Sequence, residues 1–145
     1  MAEIKTILFA TDFSEGSERA CDMARTLAGL ADAKLVVLHV ITELADKRSR
    51  YLPSEVIDTV IREVERHAVE DMRTFCSKHF AGLDTATEIV VGKGADAILA
   101  QADKLDADLI VMGTHGRTGI EKLVVGSTAE KVVRGARIPV LTVRE

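Results

Sequence analysis

A chain of 145 residues, 47% of them apolar, has the size and composition of one folded domain with its own core and does not suit disorder. Aromatic residues make up only 3% and Trp is absent, so that core must be aliphatic, built from Val, Ile, Leu and Ala. A net charge of −4 with both signs interspersed excludes a general nucleic-acid binder, which needs a basic face; the one basic cluster, Lys47–Arg50, reads as a solvated loop.

In chain order, IKTILFA (Ile4–Ala10) is the first strand, and Ser14 is placed to cap a helix whose inward stripe is Ala20, Met23, Ala24, Leu27 and Ala31. AKLVVLHVI (Ala33–Ile41) is the second strand, followed by an irregular stretch, Thr42–Leu52. A long helix then runs from Pro53, suited to a first turn, to Phe80, with the stripe Ile57, Val60, Ile61, Val64, Ala68, Met72 and Phe75. TATEIVVG (Thr85–Gly92) is the third strand. The helix after Gly94 carries Ile98, Leu99, Ala102 and Leu105, and ADLIVMG (Ala107–Gly113) is the fourth strand. A last helix opens at Ser127, with Ser127 and Glu130 spaced as a capping box and Val132, Val133 and Ala136 facing inward. IPVLTVR (Ile138–Arg144) is the fifth strand. The strands are nearly continuous apolar runs, as expected for a parallel sheet buried on both faces. The expected fold is a single α/β domain over residues 1–145, a doubly wound five-stranded parallel sheet with helices on both sides.

Cys21 and Cys76 lie far apart in helical segments with no metal-site spacing, and read as small buried hydrophobes. The N-terminal apolar run is too short for a secretory signal, and no segment approaches the ~20 apolar residues of a membrane span. A cytoplasmic location is expected.

In open α/β sheets, ligands bind beyond the carboxyl ends of the strands where strand order reverses. Strand one ends in ATDFS (Ala10–Ser14), strand two in LHVI with Val40 near the edge, and strand four in MGTHG with Met112 and Gly113. Asp12 offers a carboxylate to a ribose hydroxyl or base amine. Gly113 and Gly116 let the backbone approach a ligand closely. Gly126-Ser127-Thr128 opens a helix, whose free N–H groups and dipole favour phosphate. Each feature alone has an ordinary structural explanation, turn glycines and an N-cap among them; their joint occurrence points to a nucleotide.

Competing chemistries fit less well. GKGADA (Gly92–Ala97) matches a dinucleotide-binding pattern, but the next strand ends in Met112-Gly113 without the acid that would hold a ribose. No Walker-type phosphate loop exists, since Gly92-Lys93 is followed by Gly94. A phospho-acceptor receiver would need an acceptor Asp at the end of strand three, which ends in Val91-Gly92, and a late Lys, which the last strand, IPVLTVRE, lacks. No G-x-S-x-G elbow appears, and no Cys pairs obviously with any of His39, His67, His79 and His115, with His39 best read as a satisfied core histidine.

Gly113, Gly116, Gly126 and Ser127 match the motif G-x2-G-x9-G-[ST] in full, and ILFATDFSEGS, LVVLHVI, VMGTHGRTGI, GSTAEKVVR and IPVLTVR flank it. On these residues the chain resembles the universal stress protein family over nearly its whole length. The resemblance implies strand order 3-2-1-4-5 and ATP binding with a divalent ion, Mg or Mn. It places Asp12 at the adenosine end, Val40 against adenine through its backbone, and Thr11 beside it. Met112, Gly113, His115 and Gly116 would line the ribose and phosphates. Gly126, Ser127 and Thr128 would hold phosphate oxygens, and Arg117 and Lys122 stand near as positive groups. It also implies a homodimer through strand 138–144, which would cover an apolar edge that nothing later in the sequence covers. The expected role is nucleotide-dependent regulation of an unidentified protein partner in stress physiology, with slow or no hydrolysis. The alternatives are a weak ATPase or phosphotransferase using His115 or Asp12, and a scaffold without ligand.

Overall fold

A computed structural model describes residues 3–14, 18–42, 44, 53–114 and 126–144. Among the described residues nine elements follow in the expected order: β1 (Thr6–Ala10), α1 (Glu18–Ala31), β2 (Lys34–Ile41), α2 (Ser54–His79), β3 (Thr85–Val91), α3 (Gly94–Lys104), β4 (Leu109–Gly113), α4 (Ser127–Gly135) and β5 (Val140–Val143). The strands form one sheet in the order β3-β2-β1-β4-β5, and every pairing is parallel. The order runs outward from β1 in both directions, so β1 and β4 flank the point where the winding reverses. In register, Ala10 lies opposite Leu38 on one side and Met112 on the other.

Strand alternation divides the core in two. Ile7, Phe9, Leu35, Val37, Leu109 and Val111 face α1 and α2, together with Phe75 and Phe80. Leu8, Val36, Leu38, Ile110 and Met112 face α3 and α4. The four phenylalanines all belong to the first layer: Phe9 lies edge-on to Phe80 with ring centroids 5.6 Å apart, and Phe75 contacts both Phe9 and Phe13. The second layer is aliphatic, as the composition requires.

Several helix details differ from the sequence reading. In α1 the buried face is Ala20, Cys21, Ala24 and Ala28, whereas Met23 is 40% exposed and Ala31 is exposed. Small residues occupy both candidate stripes, and the one with the smaller side chains lies against the sheet. In α2 only Ala68, Met72 and Phe75 are buried; Ile57, Ile61 and Val64 are half-buried, and Val60 is 46% exposed. The first half of α2 therefore packs less deeply than its periodicity implies. Pro53 is the N-cap of α2 and not its first turn, and Phe80 is the C-cap. The expected capping box of α4 does not form: Gly126 occupies the N-cap, Ser127 is the first helical residue, and Glu130 pairs with Arg134 at 2.9 Å. Val133, expected inward, is 51% exposed. The Ser14 cap of α1 involves residues 15–17, outside those described.

α1 and α3 stop by the same device. Asp32 and Asp106 adopt positive φ (52° for each), and the next residue donates back five positions, Ala33 N to Ala28 O at 3.0 Å and Ala107 N to Ala102 O at 2.9 Å. This is a Schellman-type ending with Asp where Gly is usual. It returns the chain to the sheet at once. At the same end of the sheet, Asp108 Oδ2 accepts the N–H groups of Lys5 (2.8 Å) and Thr6 (2.9 Å), which fastens the start of β1 to that of β4. These two bonds hold the Asp108 carboxyl below the usual carboxylate range.

Candidate ligand site at the carboxyl edge of the sheet

The turn after β1 is tightly specified. Thr11 is 9% exposed; its N–H donates to Leu38 O (2.9 Å), continuing the β1–β2 ladder, and its hydroxyl oxygen accepts the Phe13 N–H (3.0 Å). Asp12, half-buried, accepts the Ser14 N–H on Oδ1 (3.0 Å). Phe13 between them has φ +64°, a left-handed conformation that a bulky residue adopts only under constraint. His39, on β2 and 6% exposed, supplies the constraint. Its Nδ1 lies 2.9 Å from Thr11 O, and its ring stacks on Phe13 with centroids 4.1 Å apart and 22° between planes. A carbonyl can only accept, so Nδ1 carries a proton.

The end of β4 and the start of α4 are joined directly. Thr114, 4% exposed, donates its N–H to Val143 O (3.1 Å), and its carbonyl accepts the Gly126 N–H (2.6 Å). This bond sets the N-terminus of α4 at the carboxyl end of β4, beside the turn that carries Asp12. The first helical bond of α4 is Glu130 N to Gly126 O (3.0 Å), and the N-cap glycine contributes no side-chain cap. The N–H groups of Ser127, Thr128 and Ala129 thus have no acceptor within the helix. Ser127 and Thr128 are exposed and Ala129 is buried.

Thr128 also meets a second helix. A Cβ built on Gly94, the first residue of α3, would lie 3.3 Å from both Thr128 Oγ1 and Cγ2. The starts of α3 and α4 therefore approach closely at the same edge of the sheet. The sequence gives no sign of this contact, since there Gly94 marks only a helix start and a place in GKGADA.

Of the other expected site residues, Val40 is half-buried on β2, with its side chain against the α3–α4 layer. Met112 is 6% exposed and turned into that same layer, leaving its backbone at the crevice. Gly113 ends β4, paired with Val143. The structure thus brings Thr11, Asp12, Met112, Gly113, Gly126, Ser127 and Thr128 to one edge, with Val40 at the end of the neighbouring β2. His115, Gly116 and Arg117 lie outside the described residues, as do Gly119, Lys122 and the Lys47–Arg50 cluster. Among the described residues no group of three or more His, Cys, Asp or Glu side chains could hold a metal, and no helix is long and apolar enough to cross a membrane.

The sheet order and its helices define a doubly wound α/β fold whose winding reverses between β1 and β4. Residues 3–144 match the universal stress protein family, and the chain belongs to it. A universal stress protein of Methanocaldococcus jannaschii is 33% identical over 145 residues, covering 97% of this chain and 82% of that protein. Among solved structures, the hypothetical protein MJ0577 superposes with a TM-score of 0.84 at 29% identity, covering 98% of this chain and 96% of its own. A universal stress protein crystallised in complex with cAMP gives a TM-score of 0.62 at 27% identity, with 98% of each chain covered. The family and the strand order implied by the glycine motif are both borne out.

Proposed function

We propose that this chain binds ATP, with Mg or Mn, across the carboxyl edge of its sheet, and that occupancy regulates a protein partner in stress physiology. One observation carries the proposal: the uncapped start of α4 is tied to β4 by the Gly126–Thr114 hydrogen bond, next to the strand that presents Asp12. The free N–H groups and helix dipole suit phosphate. The Asp12 carboxylate suits a ribose hydroxyl or a base amine. The cAMP complex of a relative supports an adenine nucleotide as the ligand class. A divalent ion bound with the nucleotide would take ligands from the phosphates themselves, as Mg²⁺ commonly does.

Hydrolysis is slow or absent in this proposal, because efficient phosphoryl transfer needs a positioned base or water and added positive charge at the γ-phosphate. A cytoplasmic location, one domain over residues 1–145 and a twofold dimer through strand 138–144 complete it. All four residues of β5 are half-buried at the sheet's edge, which fits a strand awaiting a mate.

Mass spectrometry of ligand co-purifying with the native protein, with calorimetry of ATP binding, tests the proposal. No bound nucleotide and no ATP affinity would refute it. Single-turnover hydrolysis faster than roughly 1 s⁻¹, the ordinary enzyme range, would favour an ATPase. Sedimentation equilibrium tests the dimer.

A further inference from the structure

We infer that His39 is a positioning residue for the candidate site: one imidazole grips both neighbours of Asp12 and so sets where its carboxylate is presented. Through Nδ1 it donates to Thr11 O (2.9 Å), on the strand side of Asp12. Through its face it carries the Phe13 ring, centroids 4.1 Å apart, on the helix side. The second contact holds a residue in a conformation it would otherwise leave, φ +64°. Phe75 of α2 also contacts the Phe13 ring, with centroids 5.6 Å apart, so the aromatic layer reaches the turn.

The geometry explains why a polar ring stands among apolar neighbours on β2. Alternation turns His39 toward the same layer as Leu35 and Val37. An apolar side chain there would leave the Thr11 carbonyl without its donor, and a small polar one would leave Phe13 without a floor. His supplies both in one flat side chain. The two turn bonds, Phe13 N to Thr11 Oγ1 and Ser14 N to Asp12 Oδ1, then fix the carboxylate itself.

The inference rests on the nucleotide reading above, and its test separates the two. Wild type, H39F (ring kept, donor lost) and H39N (donor kept, ring lost) are titrated calorimetrically with adenosine and with inorganic tripolyphosphate. Amide exchange is followed at Phe13 and Ser14. Each variant is expected to bind adenosine about tenfold more weakly, the scale of one lost hydrogen bond in a buried setting. Tripolyphosphate affinity should be unchanged, and exchange at both amides should accelerate in each variant. Equal weakening of both ligands would mean general damage and overturn the assignment, as would unchanged adenosine affinity or unchanged exchange. Failure of the wild type to bind either ligand would instead refute the nucleotide reading, and the inference would fall with it. Using both variants keeps the test decisive if one of them does not fold.

Discussion

Gly126→Val separates a phosphate cradle from an ordinary helix start. The backbone at Gly126 has φ −61° and ψ 155°, extended values that valine accepts without strain, and the N–H bonded to Thr114 O is retained. The fold should therefore survive, with a stability loss of about 1 kcal/mol for the poorer N-cap residue. Binding should not survive. The branched side chain would stand before the N–H groups of Ser127, Thr128 and Ala129, which have no acceptor within α4 because its first bond is Glu130 N to Gly126 O. Hydrogen bonds to charged groups contribute about 1.5–3 kcal/mol each, so losing two at the lower figure removes about 3 kcal/mol, on the order of 100-fold in Kd. Calorimetry with ATP and adenosine reads the effect: ATP affinity should fall by that factor and adenosine affinity should stay. A folded variant that binds ATP within about threefold of wild type would refute the cradle.

Three further outcomes follow from the fold. Asp106→Gly should stabilise the protein by about 1 kcal/mol in urea unfolding, since it relieves a left-handed Asp and removes a negative charge from the carboxyl end of α3. Asp108 has its carboxyl lowered by two backbone N–H donors, so its contribution is fully present above the ordinary carboxylate value of 3.8 and is lost as pH falls through the lower folded value; Asp108→Asn should flatten the acid limb of stability against pH below about 4. Phe9→Ala empties a fully buried site between Phe75 and Phe80 and should cost about 3–5 kcal/mol, measured by denaturant midpoint at unchanged m-value.

The order of elements was readable because buried parallel strands announce themselves as apolar runs, and LVVLHVI or DLIVMG fits no helix of comparable length. Helix faces were less readable where neighbouring positions are all small. In α1, Ala20 and Ala24 belong to either stripe; the choice of Cys21 and Ala28 over Met23 and Ala31 is made by how closely the helix lies on the sheet. The capping box at Ser127 failed for a related reason. Local sequence favoured Ser127 as the cap, but the Gly126–Thr114 bond starts the helix one residue earlier, and Glu130 turns to Arg134. A tertiary hydrogen bond outweighs a local motif of about 1 kcal/mol.

The glycines of the candidate site divide by physical role, and that division was only half legible. Gly126 is marked by spacing, and the structure adds what spacing cannot carry: its N–H donates to Thr114 O and ties the start of α4 to the end of β4. Gly94, set aside with a dinucleotide motif that lacks its acid, lies against Thr128 of α4, where even a methyl group would press on the threonine at 3.3 Å. One glycine thus anchors a helix start to the sheet, and the other lets a second helix approach it closely from the side. Phe13 gave no sign at all, because left-handed backbone is normally announced by Gly, Asn or Asp. Its conformation depends on His39, a residue distant in sequence that a strand pattern classes simply as buried. Features set by one element's own residues were visible in the chain; those set by a contact between elements were not, and the geometry around Asp12 is of the second kind.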